Sequence, residues 1–334
     1  MTSRPPRRSL DEDDVQVRPG RGSRPRTRRR PAHAEAVDAF VAAVDRGRYR
    51  CVTDGGAVTA MKARELGRGG IVVGDTVSLA GDTSGAAGTL ARVVRVAPRR
   101  TVLRRSADDS DPVERVIVAN ADKLVIVASL ADPPPRPRLI DRFLVAAYDA
   151  GIDPALCLTK ADLAGPDAIV QVYAPLGIPW VLLGRPYQPG PLAQLRALLA
   201  GAVSVLVGHS GVGKSTVVNT LIPDAERAVG EVSPVTGRGR HTSSSAVALP
   251  LPGGGWIIDT PGLRSFGLGH LSVDRVLLAF GDLADGTAQC PPGCDHLTVD
   301  CALDAWVAAG HAESARLDSL RRLLRTLQPE LDQS

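Results

Sequence analysis

The sequence is poor in aromatic residues, in long apolar runs and in lysine. Aromatic residues make up 3% of its 334 residues, so a nucleic-acid surface built on stacked aromatic side chains is not expected. Its longest apolar run, near 198–208, is about half of the roughly 20 residues that a membrane-spanning helix needs. No apolar segment follows the basic N-terminus, as one would in a secretory signal. We therefore expect no membrane contact and a cytoplasmic location.

Charge is distributed unevenly along the chain, which carries a formal net charge of +4. Residues 1–34 hold ten arginines against four acidic residues, so the rest of the chain is slightly negative. A segment this rich in Arg, Pro and Ser cannot bury enough apolar surface to fold alone. We predict a disordered basic arm over 1–34, which is either solvated or in contact with nucleic acid.

The remainder divides into three predicted domains. Short alternating runs between Gly-rich turns predict a small β-barrel over 35–112, with a helix-like segment at 34–44 leading into its strands. Apolar strands alternating with helix-length segments predict a doubly wound α/β domain over 113–270. A small, mostly helical domain is predicted over 271–334, where one helix face carries leucines. These are Leu317, Leu320, Leu323, Leu324 and Leu327.

The predicted strands of the barrel are 49–53, 57–62, 75–79 and 90–96. Those of the α/β domain are 122–129, 155–159, 179–183 and 203–207, with helices at 139–150, 191–199 and 214–221.

A Gly-rich sequence carries the strongest motif, because it fits G-x-x-x-x-G-K-[ST] between a predicted strand and a predicted helix. Its backbone N–H groups and the helix N-terminus would surround phosphates, and Lys214 would bridge the β- and γ-phosphates. Ser215 would supply an oxygen to Mg²⁺. The residues predicted to contact the phosphates are Gly208, His209, Ser210, Gly211, Val212, Gly213, Lys214, Ser215 and Thr216. A nucleoside triphosphate with Mg²⁺ is the expected ligand.

Two further motifs stand at predicted strand ends. In the D-x-x-G sequence, Asp259 would hold Mg²⁺ and the Gly262 N–H would contact the γ-phosphate. In the T-K-x-D sequence, the Asp162 carboxylate would accept from the ring N–H and the exocyclic amine of guanine, a pair that adenine lacks, so GTP is expected over ATP. Lys160 would cover the base. Thr159 replaces the usual Asn and lacks its amide, so a looser connection to the phosphate loop is expected.

The cysteines point to a metal. Three thiolates and one imidazole lie within twelve residues, the softness and number that tetrahedral Zn²⁺ prefers. They belong to Cys290, Cys294, His296 and Cys301. We predict one structural Zn²⁺ there, with reduced buried cysteines as the alternative. Cys51 and Cys157 stand singly in apolar runs and are expected in the core.

The base-reading motif precedes the phosphate loop, the reverse of an ordinary GTPase, so the domain is predicted to be circularly permuted. With these motifs in this order, and with GRHTSS at 239–244, residues 40–330 resemble the ribosome-small-subunit-dependent GTPase family. The resemblance implies an OB-like barrel, a permuted P-loop GTPase domain and a zinc-binding C-terminal domain. It also implies GTP hydrolysis coupled to late maturation of the small ribosomal subunit. The subunit with its rRNA, GTP and GDP would be the partners.

Catalysis is expected to be slow without the small subunit and stimulated by it. Leu263 follows D-x-x-G where many GTPases carry a water-orienting Gln, and an apolar side chain cannot orient water. His241 is a candidate for that task, or else a solvated or rRNA-contacting residue. Thr242 is the predicted hydroxyl ligand of Mg²⁺, with Ser243 as the alternative. The catalytic residues are thus predicted to be Lys214, Thr242 and His241.

Six arginines without an intervening acid predict contact with rRNA phosphates, a solvated loop being the alternative. They are Arg92, Arg95, Arg99, Arg100, Arg104 and Arg105. Two other functions stay open, namely a P-loop kinase or ATPase and a noncatalytic, GTP-sensing RNA-binding assembly module. We expect a monomer.

Overall fold

The computed structural model describes residues 33–67, 70–105, 115–223, 246–260, 272–298 and 301–327. The described residues from Ala34 onwards form one compact unit. Except for its last two positions, the predicted basic arm lies outside the described residues. The domain boundaries at 35, 113 and 271 stay predictions.

Five strands near the N-terminus close into a barrel. They are β1 (Val37–Asp45), β2 (Arg48–Thr53), β3 (Gly56–Lys62), β4 (Thr76–Ala80) and β5 (Ala91–Val96). Their order is β1-β2-β3-β5-β4, and β4 pairs back with β1. The β3–β5 pair is parallel and the other pairs are antiparallel. This closed five-stranded arrangement confirms the OB-like barrel.

The helix predicted at 34–44 is wrong, because β1 occupies most of that segment. The segment is rich in alanine, which favours a helix locally, but β1 is hydrogen-bonded to both β2 and β4. A register shift between Val41 and Ala43 buries Val41, Ala42 and Ala43 in succession. This bulge hides the alternation that identifies a strand, and tertiary pairing overrides the local helix propensity.

A mainly parallel sheet forms the centre of the α/β domain. Its strands are β8 (Lys123–Ser129), β9 (Asp153–Thr159), β10 (Trp180–Leu183), β11 (Val203–Val207), β12 (Val247–Pro250) and β13 (Trp256–Asp259). Their order is β10-β9-β8-β11-β13-β12, with β12 the antiparallel member. Two intervening strands, β6 (Val102–Arg105) and β7 (Arg115–Ala119), pair separately. The four strands predicted for this domain are confirmed.

Helices cover both faces of the sheet. They are α1 (Pro137–Ala150), α2 (Asp167–Tyr173), α3 (Pro189–Leu199) and α4 (Lys214–Leu221). Leu124 and Ile126 belong to one apolar core with α1, whereas Val125 and Val127 belong to another with α3 and α4. Successive residues of a strand point to opposite faces. The doubly wound arrangement is therefore confirmed, and it leaves the carboxyl ends of the strands open.

The barrel and the central sheet are joined by backbone pairing. Ala43 of β1 is paired with Val247 of β12, so the two form one 11-stranded sheet. The ring of Phe40 stacks on that of Trp256 with 4.6 Å between centroids. The start of β13, whose other end enters the predicted nucleotide site, thus contacts the barrel directly.

Short helices complete the described chain, namely α5 (Val273–Leu278), α6 (Gly281–Ala284), α7 (Ala302–Ala308) and α8 (Ser314–Arg325). Four of the predicted leucines of α8 are buried in the same core as α1, and Leu327 packs against it. At this interface Arg322 Nε lies 3.2 Å from the buried Asp141 carboxylate. None of the described helices has the length and apolarity to cross a membrane.

Candidate functional site

Three of the predicted motifs meet at the carboxyl edge of the sheet. Thr159 ends β9, Asp259 ends β13, and Gly208 directly follows β11. Between them lies an open cleft of about 730 Å³. Its lining consists of Thr159, Lys160, Asp162, Leu163, Arg185, Tyr187, Gly208, His209, Ser210, Gly211, Gly213, Lys214, Ser215, Thr216 and Thr260. Ligands of doubly wound sheets bind in this position whatever order the chain visits the strands in.

The phosphate loop needs its glycines for two separate reasons. A Cβ at Gly208 would lie 2.5 Å from the carbonyl oxygen of Val127 on β8, so no side chain fits there. Gly213 has φ +92°, a left-handed conformation that other residues adopt with strain. It is the residue immediately before α4, and it turns the chain so that Lys214 and Ser215 begin the helix. Val212 is buried in the core beneath the loop, while the His209 ring lies against its own loop, with Nδ1 2.7 Å from Ser210 O.

Lys214 and Asp259 form an ion pair in the cleft. Lys214 Nζ lies 2.5 Å from Asp259 Oδ1 and 3.5 Å from Thr260 O. Asp259 is in register with Leu206 of β11, and Thr260 Oγ1 donates to Leu206 O at 3.2 Å. The sheet therefore fixes the acid beside the phosphate loop. A carboxylate here and the Ser215 hydroxyl are hard oxygen ligands, which fit Mg²⁺.

Thr159 connects the base-reading loop to the phosphate loop, contrary to our expectation. Its hydroxyl donates to Val212 O at 2.6 Å and is fully buried. The residue lacks the amide of Asn, but the shorter side chain reaches a carbonyl of the phosphate loop because β9 brings it close. The next residue, Lys160, has φ +58° and donates from Nζ to Asp132 O.

Asp162 is oriented by the loop after β10. The Arg185 backbone N–H donates to Asp162 Oδ1 at 2.8 Å. This hydrogen bond is the main cause that lowers the pKa of Asp162, with the charges of Arg185 and Lys160 adding to it. The carboxylate is thus ionised at neutral pH and acts as a hydrogen-bond acceptor, as guanine recognition requires.

Four residues that line the cleft had no predicted role, namely Leu163, Arg185, Tyr187 and Thr260. Leu163 directly follows the base-reading motif, and 61% of its surface is exposed. An exposed leucine at this place would cover the apolar face of a base. Arg185 and Tyr187 follow β10, which ends at the same edge of the sheet as β9. Their position after a strand was the signal that could have identified them.

The four predicted zinc ligands converge, and their ligand atoms all lie within 4.8 Å of one another. Cys290 Sγ is 3.8 Å from Cys301 Sγ, and both sulfurs are 3.6 Å from His296 Nδ1. Tetrahedral Zn²⁺ with bonds of about 2.3 Å to sulfur and about 2.0 Å to nitrogen requires ligand separations of about 3.5–3.8 Å. The geometry and the chemistry of the donors therefore fit one zinc ion.

Neighbouring groups support the zinc ligands. The His296 N–H donates to Cys294 Sγ at 3.3 Å, and Arg321 Nε donates to His296 O at 3.0 Å. Arg321 was not among the predicted site residues. Its Nη2 lies 2.7 Å from Asp304 Oδ2. Burial raises the pKa of Cys301 to about 11, so this thiol keeps its proton unless a metal replaces it. Cys51 and Cys157 are fully buried, which confirms their place in the core.

The site agrees with similarities to known proteins. The sequence pattern of the RsgA GTPase family matches residues 96–269. The Small ribosomal subunit biogenesis GTPase RsgA of Pseudomonas aeruginosa (strain LESB58) is 41% identical over 248 residues, which are 72% of each chain. This chain belongs to the RsgA GTPase family. Membership favours GTP hydrolysis over the kinase or ATPase chemistry that the sequence left open.

Solved structures share the fold of this chain. The crystal structure of YjeQ from Thermotoga maritima matches with a TM-score of 0.64 at 22% identity, covering 87% of this chain and 98% of that one. YloQ, described as a circularly permuted GTPase, matches with the same TM-score at 21% identity, over 90% and 99% of the two chains. The permuted fold class is thereby confirmed.

The arginines predicted to contact rRNA divide into two groups in the structure. Arg99 Nε lies 2.7 Å from Asp75, whose side chain is fully buried, so Arg99 neutralises a core carboxylate. Arg100 lies 3.0 Å from Asp122. Arg92 and Arg95 project from β5 and are exposed, as is Arg104. The exposed members keep the predicted role open, whereas Arg99 is part of the barrel's own structure.

Several predicted site residues lie outside the described residues. They are His241, Thr242, Ser243, Gly262, Leu263 and the side chain of Arg105. The GRHTSS sequence at 239–244 lies outside them as well. Their roles stay predictions.

Proposed function

We propose that this chain binds the small ribosomal subunit and couples GTP hydrolysis to a late step of its maturation. The observation that carries the proposal is one cleft lined by Asp162 and Lys214, with Asp259 in an ion pair with Lys214. The partner follows from the name of the relative that is 41% identical to this chain. We also propose that the protein acts in the cytoplasm as a monomer, without a membrane.

Each end of the cleft has its own task in this proposal. The N–H groups of 208–216 and the Lys214 ammonium bind the phosphates, and α4 directs its N-terminus at them. Lys160 covers the base and Asp162 pairs with its N–H groups. Because the Thr159 hydroxyl links the two loops, the base and the phosphates are held at a fixed separation.

Ser215, Asp259 and Thr242 would hold Mg²⁺, which neutralises phosphate charge when bound. In the structure Asp259 pairs with Lys214, and triphosphate binding would give Lys214 a stronger partner. Gly262 would donate its N–H to the γ-phosphate. Leu263 offers nothing that orients water, so turnover without the subunit is slow, and His241 or a group of the subunit completes the site.

Contact with the subunit would use the exposed arginines of the barrel, including Arg92 and Arg95, on rRNA phosphates. Their replacement should weaken binding and reduce its salt dependence. Arg99 is a matched contrast, because its loss should instead destabilise the barrel that Asp75 and Arg99 hold together.

The test is GTP hydrolysis measured at single turnover with the full chain, with and without purified small subunits. We expect slow hydrolysis that the subunit accelerates, and a lower stimulated rate for His241→Ala if that residue positions water. Binding of GTP without turnover, even with subunits, would instead identify a noncatalytic assembly module. An unchanged rate in His241→Ala would remove that residue from the mechanism.

A further inference from the structure

Arg185 spans the two halves of the nucleotide cleft. Its backbone N–H holds Asp162 Oδ1 at 2.8 Å, and its side-chain Nη2 donates to Thr216 Oγ1 at 3.0 Å. Asp162 belongs to the base-reading loop, and Thr216 to the first turn of α4 behind the phosphate loop. The guanidinium therefore lies between the place proposed for the base and the place proposed for the phosphates.

The loop that carries Arg185 is packed closely against the base-reading loop. A Cβ at Gly184 would lie 3.0 Å from the Asp162 backbone nitrogen and 3.4 Å from the carbonyl carbon of Ala161. The Ala161 N–H also donates to Leu183 O at 3.2 Å. These backbone contacts thus fix the position of the Arg185 backbone, and they do not depend on the Arg185 side chain.

Guanine has one hydrogen-bond acceptor, O6, that the Asp162 carboxylate cannot satisfy. The carboxylate accepts from the ring N–H and the exocyclic amine, but the neighbouring O6 is an acceptor and needs a donor. The Arg185 N–H is already donated to Asp162, and Pro186 has no N–H. Two successive backbone positions beside Asp162 therefore offer O6 no amide, whereas the guanidinium carries five N–H donors in a fixed fork.

We propose that the Arg185 guanidinium reads the O6 and N7 edge of guanine. This inference rests on the proposed placement of the base at Asp162. An arginine fork matches the two acceptors O6 and N7, which is the commonest specific contact of arginine with guanine. Adenine presents an amino group in place of O6, so a cation and a donor would face each other. Arg185 would thus reject adenine on one edge while Asp162 rejects it on the other.

The test compares the affinities of the full chain for GTP and for 7-deaza-GTP, in which a carbon replaces the N7 acceptor. Arg185→Ala removes the fork, and Arg185→Met keeps the length of its stem without the donors. Arg196→Ala removes an exposed arginine of α3 outside the cleft and is the matched control. Circular dichroism melting checks that each variant is folded.

We expect the unmodified chain to bind 7-deaza-GTP about 5-fold or more weakly than GTP, since a bidentate arginine–guanine contact carries discrimination of this order. Both Arg185 variants should bind GTP about 10-fold more weakly and should no longer distinguish the two nucleotides. Arg196→Ala should behave as the unmodified chain does.

Equal affinity of the unmodified chain for the two nucleotides would overturn the inference, and this comparison needs no variant to fold. Discrimination that survives in Arg185→Ala would also overturn it. A GTP loss with that discrimination kept would assign the side chain to the phosphates instead. Failure of the unmodified chain to bind GTP at all would refute the proposed function itself, which is a separate outcome.

Discussion

The nucleotide cleft and the zinc cluster are assembled in opposite ways. The cleft collects residues from 159 to 260, which four parallel strands, β9, β10, β11 and β13, and the loops after them bring to one edge of the sheet. The zinc ligands come from twelve residues between short helices, and the described part of this segment, 290–298, contains no helix or strand. One site is built by long-range strand pairing and the other by short-range spacing.

The two sites also differ in what holds them. In the cleft, hydrogen bonds hold the functional side chains in place: Lys214 donates to the Asp259 carboxylate, Thr159 donates to the Val212 backbone carbonyl, and Asp162 accepts from the Arg185 backbone N–H. The zinc ligands have free thiols in contact and a single imidazole between them. The sheet thus positions the residues of the cleft before any ligand binds. In the C-terminal segment, by contrast, the bound metal would hold the ligand residues in position.

Removal of zinc should give the largest effect. Chelation, or Cys301→Ser, should destabilise α7 and α8 by several kcal/mol, because metal binding and folding are the same event in such segments. Metal content and thermal denaturation measure it. Cys51→Ala is the control for a lost thiol and should keep the metal. If GTP affinity collapses together with the helices, the two sites are not independent and the comparison fails.

Lys214→Ala should leave the fold intact and lower subunit-stimulated GTP hydrolysis about 10²- to 10³-fold, the usual cost of removing one transition-state charge contact. Single-turnover rates measure it. Lys123→Ala is the matched control, since Lys123 begins β8 and therefore lies at the amino ends of the parallel strands, opposite the cleft. A loss of similar size in both variants would show that the effect is not local to the cleft.

Asp162→Ala should reduce the preference for GTP over ATP about 10- to 100-fold, because hydrogen bonds to a charged group are worth about 1.5–3 kcal/mol. Competition binding with the two nucleotides measures it. An unchanged preference would mean that another residue selects the base. A changed preference with unchanged metal content would show that one strand end of the cleft can be altered without affecting the zinc cluster.

Thr159→Val should have the smallest effect, about 5-fold in GTP affinity, which corresponds to about 1 kcal/mol for one buried hydrogen bond. Valine has nearly the same shape as threonine and removes the donor to Val212 O. Equilibrium binding of GTP and GDP should show equal losses, since both nucleotides span the same two loops. A loss confined to GTP would place the effect at the γ-phosphate instead.

The sequence by itself determined which chemistry this protein carries. The G-x-x-x-x-G-K-S motif, the strand-end acids and the Cys-Cys-His-Cys spacing are local patterns, and each kind of site needs those residue types at those distances along the chain. The tertiary structure decided how the parts connect. It made 37–45 a strand, because β2 and β4 offer it pairing partners that a helix propensity cannot reveal. It also decided three sets of hydrogen bonds. Thr159 donates to the Val212 carbonyl, Arg99 pairs with the buried Asp75, and Arg185 is hydrogen-bonded to both Asp162 and Thr216. Such partners lie far apart in sequence, and only the packing of strands and loops places them within hydrogen-bond distance.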